Sequence, residues 1–291
     1  MSNIHNTLYK FSGAGNDFVV IDGRKGGVDE FRTVERIGEL CREYKTDGLM
    51  ILTDLPVKPA NDERTPSNVV PFDFVMEFYN PDGTGGMMCG NGGRCITAFA
   101  DMLGLRPAAA DGTWHFLAPD GPQVSRILAK ESGKWTVRLK MIDVDGVTPM
   151  MGGYFLNTGT RHFVKFVDDV DAMDMERDAK PLRWDPAFQP IGTNVNFVER
   201  REDGLHIRTY EKGVEGETLA CGTGITATAI ASVIDSSVKP ANDGVHLQCR
   251  RGDWLTVEFT KNGQHFTNVY LTGPAELVAV LKKRPKMRTT P

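Results

Sequence analysis

Alternation is the commonest pattern along the chain. Between residues 134 and 141, Trp135, Val137, Leu139 and Met141 alternate with Lys134, Thr136, Arg138 and Lys140, the period-two signature of a half-buried strand. Alternating or β-branched runs at 18–22, 49–53, 72–79, 162–167, 194–198, 205–210, 245–249, 255–259 and 266–271 predict further strands in both halves. Helical periodicity is rarer. Residues 33–43 put Val34, Ile37, Leu40 and Cys41 on one face and charges on the other, which predicts an amphipathic surface helix. Segments 92–103 and 224–234 differ, being small and apolar nearly all round and opening in glycine. A helix without a polar face is buried on all sides. Each half of the chain is therefore expected to wrap strands around one central helix.

Between these elements, residues 54–71, with Pro56, Pro59, Pro66 and Pro71, read as an exposed excursion, and the basic stretch 282–288 as a solvated tail. The pentapeptide Lys-Pro-Ala-Asn-Asp occurs at 58–62 and 239–243, before one glycine-rich helix and after the other. That register does not match a duplication.

Composition narrows the class. At roughly 100–200 residues per domain, 291 residues make one large domain or two ordinary ones. Lys and Arg number 34 against 38 Asp and Glu, a net charge of −4, so no basic excess draws the chain to nucleic acid. The longest apolar-leaning run, 225–234, falls far short of the ~20 residues that span a bilayer, and no membrane contact is expected. Residues 1–10 carry no apolar signal, and five cysteines cannot complete a disulfide framework. A cytoplasmic protein with reduced thiols is expected.

The register that does match between the halves is centred on cysteine. Met88-Cys89-Gly90-Asn91-Gly92-Gly93 parallels Ala220-Cys221-Gly222-Thr223-Gly224-Ile225, and ten of the 31 glycines fall within 83–93 and 210–224. Glycines at a helix mouth let backbone N–H groups converge on a small anion, and the helix end adds partial positive charge. The same field is expected to lower the pKa of a cysteine placed there. Cys41, Cys95 and Cys249 read instead as small buried hydrophobes. Cys89 and Cys95 lack a second close Cys or His pair, so no metal is expected. Two thiols across a cleft suit inversion of a C–H stereocentre: one removes the proton and the other returns one on the opposite face. No cofactor is needed for that chemistry.

With those motifs in view, the sequence resembles the diaminopimelate epimerase family over nearly its whole length. The resemblance rests on Gly15-Asn16-Asp17-Phe18, Asn80-Pro81-Asp82-Gly83, the two cysteine motifs, Asn194-Val195-Asn196-Phe197 and Tyr210-Glu211-Lys212-Gly213. It implies an α/β (mixed α+β) fold of two pseudo-symmetric domains, each a curved mixed β-sheet wrapped around a central helix. The expected division is 1–121, with 274–291 returning to it, and 122–273. It implies cofactor-independent interconversion of LL- and meso-diaminopimelate on the route to lysine and peptidoglycan precursors. Cys89 and Cys221 would exchange donor and acceptor roles. Gly90, Asn91, Gly222 and Thr223 would hold the reacting carboxylate. Asn16, Asn80, Asn194, Glu211 and Lys212 would read the distal end, with Glu211 and His162 also assisting the chemistry. The partner is a small amino acid substrate, and a homodimer is compatible with the sequence.

Three departures fall on the specificity side: Lys212 where the family usually has Arg, Thr160-Arg161-His162 where Asn-Pro-His is typical, and a short segment at 42–48. They keep a second reading open, a racemase for another amino acid such as histidine or proline, although Asn91 stands where proline racemase-like chains carry His. A third reading, a non-catalytic dithiol redox or binding protein, leaves the carboxylate-cradling glycines without a purpose.

Overall fold

The computed structural model describes residues 7–55, 71–85, 89–236 and 244–281. The basic stretch 282–288, both copies of the repeated pentapeptide and most of the proline-rich excursion lie outside the described residues.

Within them, seventeen strands share one hydrogen-bonded network, which closes twice around a helix. The first shell runs through Leu8–Gly13, Asn16–Asp22, Gly48–Thr53, Phe74–Tyr79, Thr113–Ala118, Gly121–Glu131 and Lys134–Lys140, and His265–Leu281 pairs with both its last and its first strand. It encloses a helix, α2 (Gly90–Met102), every residue of which from Gly90 to Ala100 is buried. The amphipathic helix α1 (Val34–Tyr44) packs outside, burying Ile37, Leu40 and Cys41. Its start is set by Thr33, whose side chain accepts the Arg36 N–H, and its end by Lys45 in the left-handed conformation at φ 51°.

The second shell repeats the order of pairings. Gly153–Asn157, Arg161–Phe166, Asn194–Arg201, Gly204–Glu211, Val245–Gln248, Trp254–Asn262 and His265–Leu281 join in the order antiparallel, parallel, antiparallel, parallel, antiparallel, antiparallel, as the seven strands of the first shell do. A four-residue helix, α3 (Lys180–Arg183), lies outside, and α4 (Gly222–Ile234) fills the interior. In both shells the central helix falls between the fourth and fifth of these strands, so the two halves share one plan.

The shells also exchange their ends. His265–Leu281 pairs with Trp254–Asn262 through Thr272, then with Lys134–Lys140 from Gly273 and with Leu8–Gly13 from Glu276 onward. In return, Val144–Asp145 and Thr148–Met150 pair with strands of the second shell. Residues 121–140, beyond the expected boundary at 121, stand in the first shell, where Ser125, Val137 and Leu139 are buried. The two interiors form one continuous apolar core, from Phe11 and Phe99 through Leu271 to Ile225 and Ile230.

Candidate active site

Each helix mouth is set by its cysteine. Cys89 is the N-cap of α2 in extended conformation, and its sulfur accepts the Gly92 N–H at 3.1 Å. Cys221 is the N-cap of α4, with Thr223 Oγ1 at 3.4 Å from its sulfur. Both first turns are glycine-rich, so the mouths approach until Gly90 and Gly222 nearly touch: a Cβ built on Gly222 would stand 3.5 Å from Gly90 Cα. Their first N–H groups have no partner within the helix, so Gly90, Asn91, Gly222 and Thr223 present donors at the same junction.

Asn91 joins the halves. Its Oδ1 accepts from Arg94 Nη2 at 2.8 Å, which leaves Nδ2 to donate to Asn16 Oδ1 and to Ala220 O, the latter at 3.4 Å. Asn16 in turn donates to Asp47 Oδ2 at 3.4 Å.

On the α4 side a buried hydrogen-bond chain leads to Cys221. Thr209 Oγ1 donates to Asn196 Oδ1 at 2.9 Å, and Asn196 Nδ2 donates to Phe163 O at 3.2 Å, which fixes the orientation of this amide. The same nitrogen faces His162 Nδ1 at 3.0 Å, so Nδ1 accepts and the neutral ring carries its proton on Nε2. Nε2 stands 2.9 Å from the hydroxyls of both Thr160 and Thr223. His162 is completely buried, and that burial pushes its pKa down to about 3, so it is neutral at physiological pH. It reaches Cys221 through the Thr223 hydroxyl. The Thr160 hydroxyl has joined the histidine's network, 3.1 Å from Thr223 Oγ1.

Glu211, at the end of Gly204–Glu211, accepts from Thr218 Oγ1 at 3.0 Å, and burial raises its pKa. Asn194 is fully engaged: Oδ1 accepts the Lys212 N–H at 2.8 Å and Nδ2 donates to Arg161 O at 2.9 Å. Lys212 Nζ reaches Ile191 O at 3.4 Å. Asn80 is bonded within its own turn, to Thr84, and that turn packs on the start of α1. Among the described residues it makes no hydrogen bond to the other candidates.

The thiols depart from the expectation of a lowered pKa. Burial outweighs the helix-end field and pushes Cys89 up to about 11, with the Gly92 N–H and the Arg94 charge acting in the opposite sense. Cys221 is raised further, by burial and then by the nearby Glu211 carboxylate.

Sequence reasoning missed Asn196, Thr209 and Arg94. The signal for Asn196 was available: it stands two residues from Asn194 in the buried part of a strand whose other buried residues are Val195, Phe197 and Val198, so both amides share a face toward the interior.

The diaminopimelate epimerase family model matches residues 154–278. A protein of Flavobacterium psychrophilum named diaminopimelate epimerase is 38% identical over 275 residues, 93% of this chain and 97% of its own. One of Aquifex aeolicus with the same name is 37% identical, covering 91% and 93%. Among solved structures, a Bacillus anthracis phenazine biosynthesis protein of the PhzF family superposes with TM-score 0.68 at 13% identity, covering 94% and 97%. A hydroxyproline epimerase from Agrobacterium vitis, with bound trans-4-hydroxy-L-proline, gives 0.58 at 17% identity, covering 96% and 92%. These distant structures share the fold.

Proposed function

Because the chain belongs to the diaminopimelate epimerase family, we propose that it is an isomerase interconverting LL- and meso-2,6-diaminopimelate, with Cys89 and Cys221 as the two bases. The observation that carries this reading is that two cysteines cap two buried helices whose mouths meet glycine to glycine.

The chemistry follows from that placement. One sulfur, as thiolate, takes the α-proton from one face of the substrate, and the other, as thiol, gives a proton to the opposite face. The negative charge thereby moves from substrate side to substrate side, and the reverse reaction exchanges the roles. As the C–H bond breaks, charge builds on the α-carboxylate, where the N–H groups of Gly90, Asn91, Gly222 and Thr223 stabilise it. The Gly92 N–H and the Arg94 charge both act on Cys89 in the sense that favours its thiolate. His162 supports Cys221 through Thr223, and Glu211 bears on both sulfurs. Asn16, Asn80, Asn194 and Lys212 are assigned to the distal end. The reaction needs both thiols reduced; all five cysteines are free, in keeping with a cytoplasmic setting and with lysine and peptidoglycan-precursor synthesis.

The test is incubation with LL-diaminopimelate in deuterium oxide. Meso product labelled at one α-carbon supports the reading, and no epimerisation of any isomer overturns it. Cys89→Ala and Cys221→Ala should each abolish turnover. A second reading, another amino acid on the same thiols, is favoured by Asn194, whose amide is already spent on the Lys212 N–H and Arg161 O. Faster turnover of histidine than of diaminopimelate in a substrate panel would decide for it.

A further inference from the structure

Arg94 lies inside α2, wholly buried, in a helix otherwise built of small and apolar residues around it. Buried guanidinium groups are ordinarily paired with carboxylates. Among the described residues this one is not: Nη1 donates to Gly90 O at 3.2 Å, Nη2 to Asn91 Oδ1 at 2.8 Å and Nε to Pro274 O at 3.2 Å, all neutral oxygens. The ionisable groups whose fields reach it are Cys95 and Cys89 on its own helix, and Cys249 and Asp253 before the strand Trp254–Asn262. Asp253 is already engaged by Arg251 at 3.6 Å.

We propose that Arg94 is a positioning residue that supplies the site's fixed counter-charge, favouring a single negative charge on Cys89 while aiming the Asn91 amide across the helix junction. The proposal rests on the two-thiol reading of the site. A water-poor cavity holding one uncompensated positive charge accommodates one anion well and a second poorly. A two-base site needs that ratio, one thiolate beside one thiol. Glu211, on the strand Gly204–Glu211, acts in the opposite sense, its field raising both thiols, so Arg94 is the charge that favours a thiolate at Cys89. The second role is geometric. With Oδ1 gripped by Arg94, Asn91 can only point Nδ2 outward, and it reaches Ala220 O, the carbonyl immediately before Cys221. Arg94 thus acts on one thiol by charge and on the other's backbone through Asn91. Its place is made by the strand crossing: a Cβ on Gly273 would stand 3.2 Å from Arg94 Nε, and the next carbonyl, Pro274 O, accepts from that nitrogen.

The experiment measures iodoacetamide alkylation of Cys89 against pH in the wild type, Arg94→Met, Arg94→Gln and Arg94→Lys, with the modified residue located by peptide mass spectrometry. Loss of the charge in Met or Gln should move the alkylation midpoint up by a unit or more, slowing modification about tenfold at any fixed pH below it. Lys keeps the charge and should keep the midpoint, but it cannot hold Gly90 O and Asn91 Oδ1 together, so KM should rise. An unmoved midpoint in the neutral variants, or a Lys midpoint displaced as far as theirs, overturns the proposal. Circular dichroism identifies any variant that fails to fold, and Gln, which retains a donor for Asn91 Oδ1, then stands in for Met. Alkylation reports on the thiol rather than on turnover, so the result holds even if the substrate is a different amino acid.

Discussion

Gly90 and Gly222 stand against each other at the junction of the two shells, so close that each would meet the other's Cα at 3.8 or 3.5 Å if it carried a Cβ. A Gly222 Cβ would also stand 3.1 Å from Leu271 Cδ2. In Gly222→Ala the gain in helix propensity, up to ~1 kcal/mol, is offset by crowding of Leu271. Stability should stay within about 1 kcal/mol of wild type, while kcat/KM falls because a methyl group occupies the carboxylate's place. Gly224→Ala should behave differently. Its Cβ would fall 2.5 Å from Asn196 Oδ1 and 3.3 Å from His162 Cε1, costing about 1–3 kcal/mol of stability as well as activity. Thermal melts and kinetics on the two variants separate these outcomes.

Asn196→Asp should reverse the polarity of the chain that ends on Cys221. A carboxylate at this position accepts from Nδ1–H instead of donating to it, which moves the ring proton off Nε2 and away from Thr223. The expected result is a loss of roughly 10²-fold in kcat. Histidine ¹⁵N NMR checks the cause: an unchanged tautomer would mean the loss has another origin.

His162 predicts an acid limb in stability. Its folded pKa, about 3, lies below the unfolded value of 6.5. Between those values the unfolded chain binds a proton that the folded chain does not, so stability falls as pH falls from 6.5 toward 3. The slope approaches ~1.4 kcal/mol per pH unit. Above 6.5 both states are neutral and the contribution is flat. Urea unfolding at a series of pH values should show this component in the wild type and lose it in His162→Gln.

Lys212 should act on binding rather than on chemistry. If its ammonium meets the distal carboxylate, Lys212→Met raises KM severalfold and leaves kcat nearly unchanged, the pattern of uniform binding. Lys212→Arg should lower KM, because a guanidinium can bind the carboxylate bidentately. Unaltered KM in both variants would remove Lys212 from the substrate site.

The two buried helices, their cysteine caps and most strands were legible because small residues beside glycine-opened motifs have few other uses, and because alternation survives in half-buried strands. The strand Thr113–Ala118 was harder to read, since Leu117 on its outer face masks the alternation of Trp114, Phe116 and Ala118. His265–Leu281 runs well past the expected 266–271 because Gly273-Pro274, ordinarily a stop, here marks the exchange of partner strands. In the site, residue types pointed to Cys89 and Cys221, but the partners of each polar group depend on pairings distant in sequence. His162 meets Asn196 only because Arg161–Phe166 and Asn194–Arg201 lie parallel in register. The thiol pKa direction failed for a related reason: a helix end can be read from glycines, whereas the depth of burial comes from both shells closing over it.

The exchange of strand ends has a consequence for synthesis. The first shell lacks a second neighbour for both Leu8–Gly13 and Lys134–Lys140 until residues 273–281 have been made. During translation the amino-terminal half must therefore wait, with two open β edges, for residues 273–281, more than 130 residues beyond Lys140. The amino-terminal half is thus not a unit that a ribosome can finish first, and its waiting edges are open to pairing with other copies of the chain.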